Sequence, residues 1–145
     1  MEVRDILSKK GEDVYHTSPS DTVFDAISKM AEHQVGALLV MEGQELKGII
    51  SERDYRNKII LKGRTSKDTL VKEIMVSDVT TVKPSDSVEE CMGLMTDKRF
   101  RHLPVLNDNK VVGVISIGDI VKSIIDKQKE EIEDLKGYIS GSYPG

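Results

Sequence analysis

Apolar positions recur along this chain in two matching sets. Val23, Ala26, Ile27, Met30 and Ala31 carry the i, i+3, i+4, i+7 spacing of a helix with one buried face, and so do Val88, Cys91, Met92 and Met95. Each set is followed by two short apolar runs. Ala37 to Met41 and Leu46 to Ile50 are joined at Glu42-Gly43-Gln44, and Leu103 to Leu106 and Val111 to Ile115 are joined at Asn107-Asp108-Asn109. Runs of this length, split by turn residues, predict two hairpins. Before each helix the pattern predicts a short opening helix (Val3 to Leu7; Val71 to Met75) and a short strand (Val14 to Thr17; Val79 to Val82). Pro19-Ser20-Asp21 and Pro84-Ser85-Asp86 read as helix entries, because proline and a capping oxygen precede an apolar period. A closing helix starts at Ser51 and again at Ser116.

The correspondence extends to residue identity. At a shift of 65 residues, Pro19 to Leu61 aligns without a gap and 13 of 43 positions are identical. Ordinary composition gives roughly two or three by chance. The opening helices match at a shift of 68, so the second copy is three residues shorter before its Pro-Ser-Asp group. The chain therefore reads as a first repeat over residues 1–62, a linker over 63–70, a second repeat over 71–127, and a helical extension and tail over 128–145. Along the last helix Val121, Ile125, Gln128, Ile132, Leu135 and Ile139 step by four and three, a narrow seam that either folds back on its own domain or meets a partner's copy, the dimer contact being the one expected.

Composition narrows the function. The 145 residues are 38% apolar and carry a net charge of −4, which suits one compact body and no nucleic-acid partner, since phosphate neutralisation needs a basic face. No apolar run reaches the roughly 20 residues of a membrane span, and Met1 to Lys10 lacks the apolar core of a secretory signal. One cysteine, on a buried helical stripe, fits a reducing, cytoplasmic setting and an inert thiol. His16 and His33 lack spaced Cys or His partners, so no metal site is expected. Neither a Gly-x-Ser-x-Gly elbow nor a glycine-rich phosphate loop occurs, and no catalytic residue is assigned.

Chemistry concentrates in two matching stretches, Gly48-Ile49-Ile50-Ser51-Glu52-Arg53-Asp54 and Gly113-Val114-Ile115-Ser116-Ile117-Gly118-Asp119. Serine at an N-cap with aspartate three residues later makes a helix cap. The same groups, with free N–H donors at a helix start and a glycine where backbone could approach a ligand, also suit a phosphate and a ribose diol. The residues alone leave both readings open.

These stretches, with Thr17-Ser18-Pro19, Thr81-Val82-Lys83-Pro84 and Arg101-His102-Leu103-Pro104-Val105, resemble the CBS (cystathionine β-synthase) repeat, and in particular small free-standing CBS pairs. The resemblance covers about Val3 to Lys127. It implies an α+β fold of two β-α-β-β-α repeats related by a pseudo-two-fold, assembled into a disc-like homodimer. It also implies a regulatory ligand of the adenine class: AMP first, with ATP, NAD(H) or S-adenosylmethionine as alternatives. Asp54 and Asp119 would take ribose hydroxyls, and Ser51, Arg53, Arg101, His102 and Ser116 would lie at phosphate. His16, Thr17, Val35, Gly36, Ala37, Thr81, Val82, Phe100, Leu103 and Pro104 would surround adenine. Because Gly36 and Ala37 stand where the second repeat has Arg101 and His102, the two sites are unequal, with the basic pair expected beside Asp119. The function expected is a non-catalytic nucleotide sensor acting on an unidentified protein partner. The alternative is a dimeric interaction scaffold, such as a redox-enzyme modulator of the kind described among plant relatives, with a vestigial cleft.

Overall fold

The computed structural model describes residues 1–11 and 13–139. Elements run in the order α1 (Val3–Lys10), β1 (His16–Thr17), α2 (Val23–His33), β2 (Ala37–Glu42), β3 (Glu45–Ser51), α3 (Glu52–Tyr55), α4 (Val71–Ile74), α5 (Val88–Lys98), β4 (His102–Asn107), β5 (Lys110–Ser116) and α6 (Ile117–Ile139). A π-helical turn, Arg56–Ile60, continues α3, and a short 3-10 turn, Ser66–Asp68, lies in the linker.

Both hairpins form at the expected places and in the same register. β2 and β3 pair antiparallel with Val40 opposite Gly48, and β4 and β5 pair with Val105 opposite Gly113. Each has an irregularity just after that pair. β1 joins the first hairpin in parallel. The strand expected over Val79 to Val82 is only a single bridge: Val82 bonds Pro104 O and Leu106 N, but Lys83 N turns to Asp86 Oδ2, so the ladder stops. The Pro-Ser-Asp groups do not enter the helices either. Thr22 and Ser87 cap α2 and α5 by accepting from Asp25 N and Glu90 N.

Those groups instead receive the opening helix of the other repeat. Val3 N and Arg4 N donate to Asp86 O and Pro84 O, and Val71 N and Lys72 N donate to Asp21 O and Pro19 O. The exchange carries the core with it. Val3, Ile6 and Leu7 pack with Val88, Cys91, Met95, Leu103 and Ile115 of the second repeat. Val71 and Ile74 pack with Val23, Met30, Leu38 and Ile50 of the first. Each opening helix therefore completes the apolar core of the other repeat, and the halves fold as one interlocked pair related by a pseudo-two-fold. Cys91 is fully buried, and burial together with Asp86 and Glu90 pushes its thiol up to about 11. Among the described residues no helix is long and apolar enough to cross a membrane. Residues 140–145 of the expected tail lie outside the described ones.

Candidate functional site

Two adjoining clefts lie where the repeats meet. The first, about 590 Å³, is lined by Ile49, Ser51, Glu52, Arg53, Asp54, Arg56 and Val76, and across from them by Phe100, Arg101 and Ile117. The second, about 420 Å³, sets Val114 and Asp119 against Lys10, Asp13, Tyr15 and the run Gln34 to Leu39. Gly36, Ile49, His102 and Ser116 line both.

The clefts arise because each Ser-x-x-Asp turn ends a central hairpin and faces the loop before the other repeat's hairpin. Arg101 therefore stands in the cleft of Asp54, not of Asp119 as the repeat assignment suggested. Helices α2 and α5 both end on a residue in left-handed conformation, Gln34 (φ 56°) and Arg99 (φ 57°), which turns the chain into those loops.

The two aspartates make the same cap and differ beyond it. Asp54 Oδ2 accepts from Ser51 N at 3.0 Å and from Ser51 Oγ at 3.1 Å, while Asp54 N donates back to Ser51 Oγ. Its other oxygen, Oδ1, pairs with Lys58 Nζ at 3.1 Å, and that ammonium also donates to Ile74 O. Asp54 is 8% exposed, with both oxygens engaged. Asp119 Oδ2 accepts from Ser116 N at 2.8 Å and from Lys10 Nζ at 2.7 Å. Among the described residues no hydrogen bond or ion pair engages its Oδ1, and Asp119 lines the second cleft. Burial alone would raise the Asp119 carboxyl, but Lys10 and the Ser116 donors outweigh it and hold the group below its ordinary value. Lys10 reaches this place only through the exchange of opening helices, and it also donates to Val114 O at 2.7 Å.

The glycines three residues before each capping serine lie within β3 and β5 and face the exchanged segments. A Cβ on Gly48 would lie 2.7 Å from Val76 O, and one on Gly113 would lie 2.6 Å from Leu7 Cδ2, so both glycines admit the exchanged segment. The helix starts are also less open than expected. Glu52 N donates to Gly36 O and Ile117 N to Arg101 O, which removes the first donor of each.

Of the residues expected at phosphate, Ser51, Arg53 and Arg101 line the first cleft, and His102 and Ser116 line both. Arg53 is steered by a bond from Nη2 to Arg99 O at 2.9 Å. Burial, then Lys10, lowers the His102 pKa, so its ring is the neutral form at neutral pH. Of the residues expected at adenine, Val35, Gly36 and Ala37 line the second cleft and Phe100 the first. His16, Thr17, Thr81, Val82, Leu103 and Pro104 line neither. His16 O takes Lys29 Nζ, the Thr17 hydroxyl donates to Asp21, Val82 is tied on both sides, and Leu103 and Pro104 are buried in the sheet. Spacing along the chain did not point to Lys10, Tyr15, Arg56 or Val76, which reach the clefts from elsewhere in the fold. Among the described residues no group of His, Cys, Asp and Glu is placed to hold a metal ion.

The CBS domain family model matches twice, over residues 3–60 and 71–126. The mitochondrial CBS domain-containing protein CBSX3 of Arabidopsis thaliana is 43% identical, over 97% of this chain and 73% of its own. A solved CBS-domain protein of Burkholderia ambifaria is 50% identical, with a TM-score of 0.85 over 88% of this chain and 96% of that one. A CBS domain protein of Pyrobaculum aerophilum, solved in complex with AMP, shares the fold at 22% identity, with a TM-score of 0.74 over 82% of this chain and 89% of that one. The two family matches and their interlocked geometry place this chain in the CBS-domain family, as a tandem pair of repeats.

Proposed function

We propose that this chain is a non-catalytic regulatory module whose clefts take an adenine nucleotide. The observation that carries the reading is the free Oδ1 of Asp119 in a cleft adjoining one with three arginines. A carboxylate oxygen suits a ribose hydroxyl, and guanidinium forks suit phosphate. Gly36, with no side chain, lines both clefts between these groups, and Val35 and Tyr15 give apolar surface for a base. The AMP held by the Pyrobaculum protein agrees with the ligand class. A ligand there would touch both repeats and so act on their relative arrangement to the extent that it binds one arrangement better.

In this reading the chain works as a homodimer. Phe24 on α2 and Met92 on α5 are 43% and 41% exposed, apolar surface that a second copy would cover. A light-scattering mass near the 16.2 kDa of one chain would contradict it.

Thermal unfolding with AMP, ATP, NADH and S-adenosylmethionine in turn tests the ligand class. A compound at 100 times its Kd adds about 2.7 kcal/mol to stability. Arg101→Ala is expected to weaken AMP binding about tenfold while leaving adenosine binding nearly unchanged. Equal loss for the two ligands would remove Arg101 from the phosphate site. If no adenine compound moves the midpoint, the chain is an interaction scaffold.

A further inference from the structure

Helix α6 is the longest element, and among the described residues only its first turns pack on the core. Ile120, Ser123 and Ile124 face the second repeat's core. The adjacent stripe is open along its length: Val121, Ile125, Ile132 and Leu135 are 47%, 44%, 52% and 58% exposed. Beyond Lys127 the described side chains carry no core contact.

The stripe has the spacing of a coiled-coil seam. With Ile125 and Ile132 at a, positions d are Val121, Gln128 and Leu135. Isoleucine at a with leucine at d, the pair found at Ile132 and Leu135, favours two parallel strands, and the one polar core position, Gln128, favours a defined register. The flanking charges select the direction. Position e is lysine three times over, Lys122, Lys129 and Lys136, and position g holds Ile124 and Glu131. In a parallel pair, g of one helix meets e of the next heptad on its partner, so Glu131 meets the partner's Lys136, twice by symmetry. In an antiparallel pair, e meets e and g meets g, which sets lysine against lysine and Glu131 against Glu131.

We propose that α6 pairs in parallel and in register with α6 of a second copy, as a short two-stranded coiled coil that brings the two second repeats side by side. The proposal rests on the homodimer reading and adds its direction. Two heptads are too short to associate alone, so the pair extends a contact begun at the second repeat and fixes which ends meet.

Disulfide capture tests the direction. Parallel pairing places residue 135 opposite residue 135, so Leu135→Cys is expected to cross-link to itself on mild oxidation. The unaltered chain, whose Cys91 is fully buried, gives no such product. Lys136→Glu is expected to raise the dimer dissociation constant roughly three- to tenfold by sedimentation equilibrium, and Glu131→Lys combined with Lys136→Glu to restore it. Antiparallel pairing would instead join Leu135→Cys to Ile125→Cys in a mixed sample, and that product would overturn the proposal. A dimer that persists with no cross-link from either variant would overturn it while leaving the homodimer intact. A monomeric chain would remove both.

Discussion

The two clefts are built by the same turn at the end of the same hairpin, yet they are chemically unlike. The cleft of Asp54 has three arginines against two acids, and its aspartate is saturated by Ser51 and Lys58. The cleft of Asp119 has one lysine against two acids, and its aspartate keeps an oxygen free. The two copies share the cap and differ at the rim. A phosphate suits the first rim and a ribose diol the second. Under the proposed function, the partner of the second oxygen rather than the cap distinguishes the aspartate offered to a ligand.

The largest expected difference between the halves is in stability, at the two glycines that admit the exchanged segments. A methyl at Gly48 meets the Val76 carbonyl, which is pinned by reciprocal bonds with Ile49 at 3.0 and 2.9 Å. A methyl at Gly113 meets the end of the Leu7 side chain, which can rotate away. Gly48→Ala is expected to cost about 3 kcal/mol and Gly113→Ala about 1 kcal/mol. Urea denaturation of both variants measures this, and equal costs would mean that the two exchanged segments are held alike.

The hairpins, the capping serines and the main helices were legible because they depend on local pattern, and the pattern was present twice. The exchange of opening helices was not. Val3, Ile6 and Leu7 are apolar whichever core they enter, and self-similarity does not say which copy an element packs on. The site inherited that gap. Lys10 lies 109 residues from Asp119 along the chain, and Arg101 faces the aspartate of the other repeat. His16 and Val82, expected around adenine, have backbone engaged by Lys29 and by a bridge to Val105, which residue identity does not reveal.

The next difference is in ligand affinity. Asp119→Ala removes the acceptor offered to ribose, so AMP affinity is expected to fall at least about tenfold. Its loss of stability should be about 0.5–2 kcal/mol, the range of a lost cap. Asp54→Ala removes a buried carboxylate engaged at both oxygens, and is expected to cost about 1–3 kcal/mol of stability while affinity changes less than about twofold. Titration calorimetry beside thermal unfolding separates the two. Similar affinity losses in both variants would show that Asp54 releases Lys58 to bind ligand, and would make the clefts functionally equal.

The smallest effect concerns His102, which lines both clefts. Burial opposes its charged form first, Lys10 and Arg101 add repulsion, and Asp119 offsets part of this, so its pKa falls below the ordinary 6.5. The unfolded chain takes up this proton as pH drops through 6.5 and the folded chain does not. Stability is therefore expected to decline as pH falls through that window, by less than about 1.4 kcal/mol per pH unit for one proton, and to level off below the folded pKa. Asp119 has the opposite origin and a lower window: its carboxyl is held below 3.8, so its contribution is complete above that value and is lost as pH falls beneath it. Lys10 faces both groups, and Lys10→Met is expected to flatten both limbs. His102→Gln should flatten only the limb near 6.5. Urea midpoints from pH 8 to pH 3 for the three proteins resolve the two limbs. If the limb near 6.5 survives in His102→Gln, it belongs to a histidine elsewhere in the chain, and the ring between the clefts does not couple them to pH.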